Sequence, residues 1–451
     1  MNRLSESQVA QLAPDPPALK AGRQLANPRL WRTMGHNDRV LWGEVQGSGK
    51  DPYRTQIDLF SIAFKCSCPS RKFPCKHGLG LMFVFAEIPD AIKAGTSEPE
   101  WVAEWMNKRA AAAEKPVTEQ APADPSTDDK KAKDKAKRAD ERLAAVQAGA
   151  AELELLLRDL LRGGLLGVPE KGEAYYEKVV RRMIDAKAGG LANWVRNFNK
   201  INYLNGTAWH SEVLENAVKA WLLIEAFRRL EAQEGPVQEQ IKSLIGWSQS
   251  KKDLLENPAA ECVTDDWLVL GKKQEALDDK LNMLLIWLYG CNTGRTALLV
   301  EYAPAHLSLV SPVLPGTLLR AVLAFYPSNL PLRAQIKHQG ELNTGTPIAT
   351  HPLPDWTAAH QQTAALLAKS PWADQFTQFI NALTPVTDQR SWFLRDSEGA
   401  IMEIDPAFEM EKIWQLLAVS GGAPLPYFVL RNGDKVVPLG YISTQYQYIM
   451  I

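Results

Sequence analysis

The sequence predicts an α+β protein in consecutive parts: a small N-terminal unit with a hairpin and a helix, a flexible linker, a helical region, and a mixed antiparallel α+β region. Three observations predict it. Aromatic and β-branched runs over residues 39–66 end in a cysteine cluster followed by a short apolar segment. Residues 107–141 turn to Ala, Lys, Asp, Pro and Thr with almost no large apolar side chain. Beyond them apolar residues recur at helical spacing, and from about residue 264 the period shortens to that of strands. A chain of 451 residues, 45% hydrophobic and 23% charged, is long enough for two or three packed cores. The expected domains are therefore 1–106, a linker at 107–141, a helical domain at 142–260 and an α+β domain at 261–451.

Ser5 followed by Gln8 is a capping-box pattern, and Asp15 before Pro16 reads as an N-cap with proline at the first helical position, so two short helices come first. The stretches "RVLWGEVQGSG" and "YRTQIDLFSIAFKC" read as strands joined by the turn-forming "GSGKD". "GLGLMFVFAEI" after His77 fits a helix ended by Pro89. The linker's densest part, residues 130–138, holds six cations against one aspartate; it reads as a solvated tether, with a sequence-blind phosphate contact as the alternative. Leu143, Val146, Ala150, Leu153, Leu157 and Leu160 form one seam of a long helix ending at Gly163 and Gly164. Its expected partners are helices at 173–188, 191–199 and 208–231, packed within one domain.

The strands "DWLVLGKK", "MLLIWLYG", "TALLVEYA", "TLLRAVLAFYP" and "RAQIKHQG" are predicted to make an antiparallel sheet. Helices are expected at 357–369 and 372–383, then strands "SWFLRD" and "AIMEI", a helix at 408–419, and a hairpin turning at Asn432 and Gly433.

A net charge of −1 leaves no global field to draw the chain onto nucleic acid or a membrane, so any such attraction is local. The opening residues hold no apolar signal core and no run of 18 apolar residues occurs, so a cytoplasmic protein without membrane attachment is expected. In a reducing compartment a tight cysteine cluster points to metal binding or catalysis rather than to disulfides.

Three of the five cysteines and one histidine fall within twelve positions: Cys66, Cys68, Cys75 and His77. Cys66 and Cys68 close a predicted strand with both side chains to one side. The six-residue loop "PSRKFP" then returns Cys75, in the loop, and His77, at the helix entry. Three thiolates and one imidazole complete a tetrahedral structural zinc site and leave no position for a catalytic water. A redox pair of Cys66 and Cys68 would leave Cys75 and His77 unexplained, and the spacings do not fit the familiar iron–sulfur runs. Chance clustering is disfavoured because Cys262 and Cys291 lie far away.

The pattern CxC, short loop, CxH resembles the SWIM zinc finger, and residues 42–81 are similar in detail to the bacterial SWIM-finger family. "APDPPALKAGR", "MIDAKAGGLA", "LIGWSQSK", "WLYGCNTGR", "FYPSNLPLRA" and "LLAVSGGAP" are similar to segments of the same family. The resemblance implies a β-β-α finger with one zinc ion on Cys66, Cys68, Cys75 and His77, and a role in binding DNA or other proteins. Some relatives are grouped with MoxR-type ATPases and von Willebrand A-type proteins, which suggests an adaptor.

Other motifs carry less. "GEVQGSGKD" lacks P-loop spacing and the following Ser or Thr, and "GCNTGRT" lacks the lysine and a helix. Cys262, Cys291, His306, His338, His351 and His360 are scattered and read as structural or surface residues, so no enzyme is expected. Two function classes remain. For nucleic acid, residues 1–80 hold twelve Lys and Arg against six Asp and Glu; Lys65, Arg71, Lys72 and Lys76 border the metal loop, and Trp31, Trp42, Tyr53 and Phe73 are candidate stacking faces. The same lysines also offset the charge of the thiolates. For a protein partner, a small finger tethered to a large near-neutral body suits an adaptor.

Overall fold

The computed structural model describes residues 4–47, 50–60, 62–70, 72–114, 125–204, 206, 208–247, 249–278, 281–304, 311, 313–343, 348 and 351–451. In the N-terminal unit, helices α1 (Glu6–Ala10) and α2 (Pro16–Gln24) precede strands β1 (Trp31–His36), β2 (Val40–Val45), β3 (Tyr53–Asp58) and β4 (Ala63–Cys66). Helix α3 (Lys76–Glu87), strand β5 (Lys93–Ala94) and helix α4 (Glu100–Glu114) follow. The capping box forms as the sequence predicts: Ser5 N–H donates to Gln8 Oε1 at 2.9 Å, and Gln8 N–H to Ser5 Oγ at 3.3 Å. Asp15 caps α2 by accepting from Ala18 N–H at 2.7 Å.

The sheet order is β4-β3-β2-β1-β5. The stretch expected as one strand over 53–66 is two, because a turn intervenes: Phe60 N–H donates to Asp58 Oδ1 at 3.0 Å, and Ile62 adopts φ 48°. Alternation along β2 serves two cores. Leu41 and Val45 meet Ile57, Phe64 and the apolar side of α3, whereas Val40 and Trp42 meet Val102, Trp105 and Met106 of α4. Helix α3 is buried from His77 to Phe85, the condition under which a helix is apolar all round. Its Gly80 is a packing requirement, since a Cβ there would lie 2.5 Å from Leu25 Cβ.

The helical region comprises α5 (Pro125–Gly163), α6 (Gly172–Asp185), α7 (Gly189–Lys200), α8 (Ala208–Arg228), α9 (Gly235–Ile245) and α10 (Lys251–Glu256). Val146, Ala150, Leu153, Leu157 and Leu160 of α5 are buried against Val180, Met183, Val195, Phe198, Val213, Ala217, Ala220 and Ile224, so the predicted seam packs within the domain. The segment read as a linker over 107–141 departs from expectation. Helix α4 runs to Glu114 and α5 begins at Pro125, while residues 115–124 lie outside the described residues. The physical reason is composition: Ala, Lys, Glu and Arg, which make the segment poor in core residues, are also strong helix formers.

The expected antiparallel sheet is instead a closed barrel of β6 (Cys262–Asp278), β7 (Leu281–Gly290), β8 (Thr296–Pro304), β9 (Leu318–Phe325) and β10 (Arg333–Asn343). The long β6 pairs with both β7 and β9, bending at register shifts near Gly271 and Asp278. One parallel pairing, Arg333 with Leu298 and Ala334 with Leu299, closes the barrel between β10 and β8. This connectivity is that of a five-stranded Greek-key barrel of OB type.

Helix α11 (Trp356–Lys369), strands β11 (Gln375–Thr387), β12 (Trp392–Arg395) and β13 (Ile401–Ile404), helix α12 (Met410–Ser420), and strands β14 (Leu425–Asn432), β15 (Lys435–Ile442) and β16 (Tyr448–Met450) complete the chain. The sheet order is β13-β12-β11-β14-β15-β16. The helix expected at 372–383 is strand β11. Phe376, Phe379, Ile380 and Leu383 fall at helical spacing, but the register against β14 shifts between Ile380 and Leu383, with Ala382 at φ 54°. A bulge in a strand buried on both faces imitates the period of a helix.

The barrel face that most often receives ligands in OB-type folds is partly covered here. Leu268, Leu270, Leu285, Trp287 and Tyr289 pack against Phe379, Phe428, Leu430, Ile442 and Tyr448 of the C-terminal sheet. Leu314 enters the N-terminal core, and Lys219 pairs with Asp374 at 2.7 Å across the helical and C-terminal regions. Among the described residues no helix is long and apolar enough to cross a membrane.

Candidate metal centre

Strands β3 and β4 place the first ligand. Cys66 ends β4 directly opposite Thr55 of β3. The chain stays on β3 for one more residue, Ser67 N–H donating to Arg54 O at 3.0 Å and Arg54 N–H to Ser67 Oγ at 2.9 Å. Cys68 therefore lies just past the strand rather than within it, yet it still faces the cluster. Cys75 is the N-cap residue of α3, where its side chain makes no capping hydrogen bond, and His77 stands in the first turn. Both are buried, and Cys66 and Cys68 are half-buried.

The ligand atoms of Cys66, Cys68, Cys75 and His77 all lie within 4.8 Å of one another. His77 Nδ1 is 3.8 Å from Cys66 Sγ and 3.9 Å from Cys75 Sγ. Bonds of about 2.3 Å to sulfur and 2.0–2.1 Å to nitrogen give tetrahedral edges of roughly 3.5–3.8 Å, so the cage closes on a zinc ion with little movement and with Nδ1 as the nitrogen ligand. The hydrogen bond to Cys75, and then burial, push the Cys66 thiol well up; burial pushes Cys68 up; Cys75 is pulled down to about 3, first by the bond it receives from Cys66. Of the three sulfurs Cys75 is the one held toward the thiolate, at a helix N-terminus that favours an anion. Thiol protons leave as zinc binds, so metal affinity weakens in acid.

Sequence reasoning missed Thr55. It is fully buried, and its hydroxyl lies 3.2 Å from Cys66 Sγ. With a thiolate the hydroxyl is the donor, and such a contact fixes and tunes a ligand. Only a turn between β3 and β4, which the one-strand reading of residues 53–66 leaves out, would have placed residue 55 across from residue 66. Thr55→Val should keep the fold while lowering zinc affinity by about 10–100-fold, measured by competition with a chromophoric chelator; unchanged affinity would remove Thr55 from the site.

The candidate contact residues scatter. Lys65 and Lys76 are exposed, Arg71 lies outside the described residues, and Lys72 is paired with Asp15 at 2.7 Å. Trp31 and Trp42 are core residues and Tyr53 is half-buried beside the His77 ring, which leaves Phe73 as the exposed aromatic. Cys262 is exposed, and the buried Cys291 thiol is pushed up to about 12 by burial. His338, His351 and His360 are exposed, and His306 lies outside the described residues.

Fold and centre together define a protein with a closed structural zinc site built into a β-β-α unit. Residues 53–85 match the family model of the SWIM zinc finger, and residues 141–245, from the second half of α5 to the end of α9, match that of the SWIM-associated four-helix bundle domain. The chain carries a SWIM zinc finger with one zinc ion held by Cys66, Cys68, Cys75 and His77. No curated protein and no solved structure matches.

Proposed function

We propose that the chain is a non-enzymatic interaction protein whose zinc stabilises a surface that docks a protein partner. The observation that carries this reading is the burial of α3. A helix enclosed by its own core has no free face to lay in a DNA groove, unlike fingers that read bases with their helix. What remains on the rim is Lys65, Lys76 and the exposed Phe73, a small cationic and aromatic surface suited to an acidic partner segment. The resemblance to the bacterial family suggests a MoxR-type ATPase or a von Willebrand A-type protein as that partner.

A second reading, binding to nucleic-acid backbone, is favoured by the cationic excess over residues 1–80. One experiment separates the two. Affinity capture of the full chain with and without nuclease should recover a partner that survives nuclease, and the pair Lys65→Glu and Lys76→Glu should reduce its capture with zinc content unchanged. With Lys72 already paired, binding to duplex DNA should be weak, with a log K against log [salt] slope no steeper than about −2. A slope near −3 or steeper that those substitutions flatten, with capture lost on nuclease treatment, would favour the nucleic-acid reading instead.

A further inference from the structure

Where the barrel, the C-terminal sheet and the N-terminal unit meet there is a cleft of about 360 Å³, within the size range of small-ligand sites. Its walls are largely apolar, with Trp287 and Gly271 from the barrel, Leu430, Leu439 and Met450 from the sheet, and Phe408 at the edge. They are rigidly joined: the Tyr448 hydroxyl lies 2.6 Å from Leu270 O and 2.9 Å from Leu439 O, tying β16 to β6 and β15. Close stacking of the Tyr448 ring on Gly440 leaves no room for a side chain there, since a Cβ would lie 2.4 Å from the ring.

Of the three lysines that line this cleft, Lys272 is the one without an ion pair among the described residues. Lys273 is paired with Glu275 at 2.7 Å and Lys412 with Glu409 at 3.6 Å. Asp405 accepts from Ala407 N–H at 2.9 Å and from Asn432 Nδ2 at 3.5 Å. Lys272 has no ion pair among the described residues; its ammonium donates to the Gln11 carbonyl at 3.0 Å, across the junction with the N-terminal unit. It is open to solvent within the cleft yet crowded by protein, and that crowding holds its pKa below the ordinary lysine value. A cation in this position is half-satisfied: one carbonyl dipole replaces part of its water shell, and among the described residues no carboxylate, Asp405 of the same cleft included, stands within ion-pair distance of it.

We propose that this cleft binds a small organic anion with an apolar body, its acid group on Lys272 and its hydrocarbon or aromatic part over Trp287 and Leu439. The acid group supplies the missing counter-charge, and the apolar part covers surface that the fold leaves open. Such a ligand touches all three units and stabilises their arrangement by mass action. The site is independent of the finger and shares no residue with it.

The test uses the full-length, zinc-loaded protein and two fluorescent probes of similar shape: anilinonaphthalene sulfonate, which is anionic, and N-phenyl-1-naphthylamine, which is neutral. The sulfonate should titrate to a single saturable site. Lys272→Met should weaken the sulfonate by about 10-fold or more, the worth of a hydrogen bond to a charged group, while changing the neutral probe by less than about twofold on the same scale. Leu439→Trp, which fills the cleft, should weaken both. Absence of saturable sulfonate binding, or equal sulfonate affinity in the Lys272→Met protein with its zinc content and thermal midpoint intact, would overturn the proposal.

Discussion

Replacing Cys75 with serine should release the zinc and unlock the first hundred residues while leaving the helical domain folded. Cys75 and His77 carry the cage into the first turn of α3, and the side chain of the N-cap residue makes no capping hydrogen bond that would hold the helix start without the metal. Without metal the start of α3 is unanchored, and two further thiols are left crowded in a half-buried cage. In isolated finger peptides the apparent binding energy of structural zinc is roughly 10–16 kcal/mol and appears as folding energy. Here the unit also has an apolar core on each side of its sheet, so part of the structure persists and the net loss is smaller. Even about 3 kcal/mol lowers the melting midpoint of a unit this size by roughly 12 °C or more. Hydrogen exchange gives the cleanest view. Amides over 53–87 should lose protection in the variant, those over 142–245 should keep it, and Leu314 should carry some loosening into the barrel because it packs in the N-terminal core. Uniform loss of protection across both regions would show that the metal holds the whole chain rather than one unit.

Asp265→Ala should be the most damaging single change in the barrel. This buried carboxylate accepts from the backbone N–H groups of Asp266 at 2.7 Å, Asn292 at 3.0 Å and Thr293 at 3.0 Å. It also accepts from Asn292 Nδ2 at 2.7 Å and Thr293 Oγ1 at 2.6 Å. One side chain therefore holds the β7–β8 turn against β6, and its removal leaves several donors without a partner. Hydrogen bonds to a charged group contribute about 1.5–3 kcal/mol each in isolation and are not additive, so a loss of about 3 kcal/mol is expected. Burial alone would raise the Asp265 pKa, but the bonds from Thr293 and Asn292 outweigh it and hold the group below the ordinary carboxylate value. A pKa depressed on folding contributes stability that is present above the unfolded value and is lost as pH falls through the native one. Urea midpoints of Asp265→Asn, which keeps the shape and removes the charge, should therefore lie below wild type at neutral pH and approach it in acid. A gap that stays constant with pH would mean the carboxylate's charge contributes nothing.

Local chemistry was legible in the sequence, and long-range pairing was not. Ser5 with Gln8, Asp15 with Ala18, the α5 seam and the four metal ligands were all readable because each pattern completes itself within a few residues or one helix face. Lys72 looked like a free cation because its partner, Asp15, stands far back in the chain and meets it only once α2 packs on the finger. Thr55 was hidden for a related reason: the turn that follows Asp58 was not foreseen, and without it residues 55 and 66 have no register. Barrel closure depends on a short parallel contact between β8 and β10, two strands separated in sequence by β9, and hydrophobic periodicity carries no information about which strand becomes the neighbour. At β11 the pattern itself misled, because a bulge restored helical spacing to a strand buried on both faces.

X-ray absorption at the zinc edge of the purified full chain reads directly whether Cys66, Cys68, Cys75 and His77 together close a structural zinc site. The expected spectrum has three sulfur neighbours at about 2.3 Å and one nitrogen at about 2.0–2.1 Å, with no oxygen in the first shell. A zinc-free protein, or a first shell dominated by oxygen and nitrogen, would contradict it.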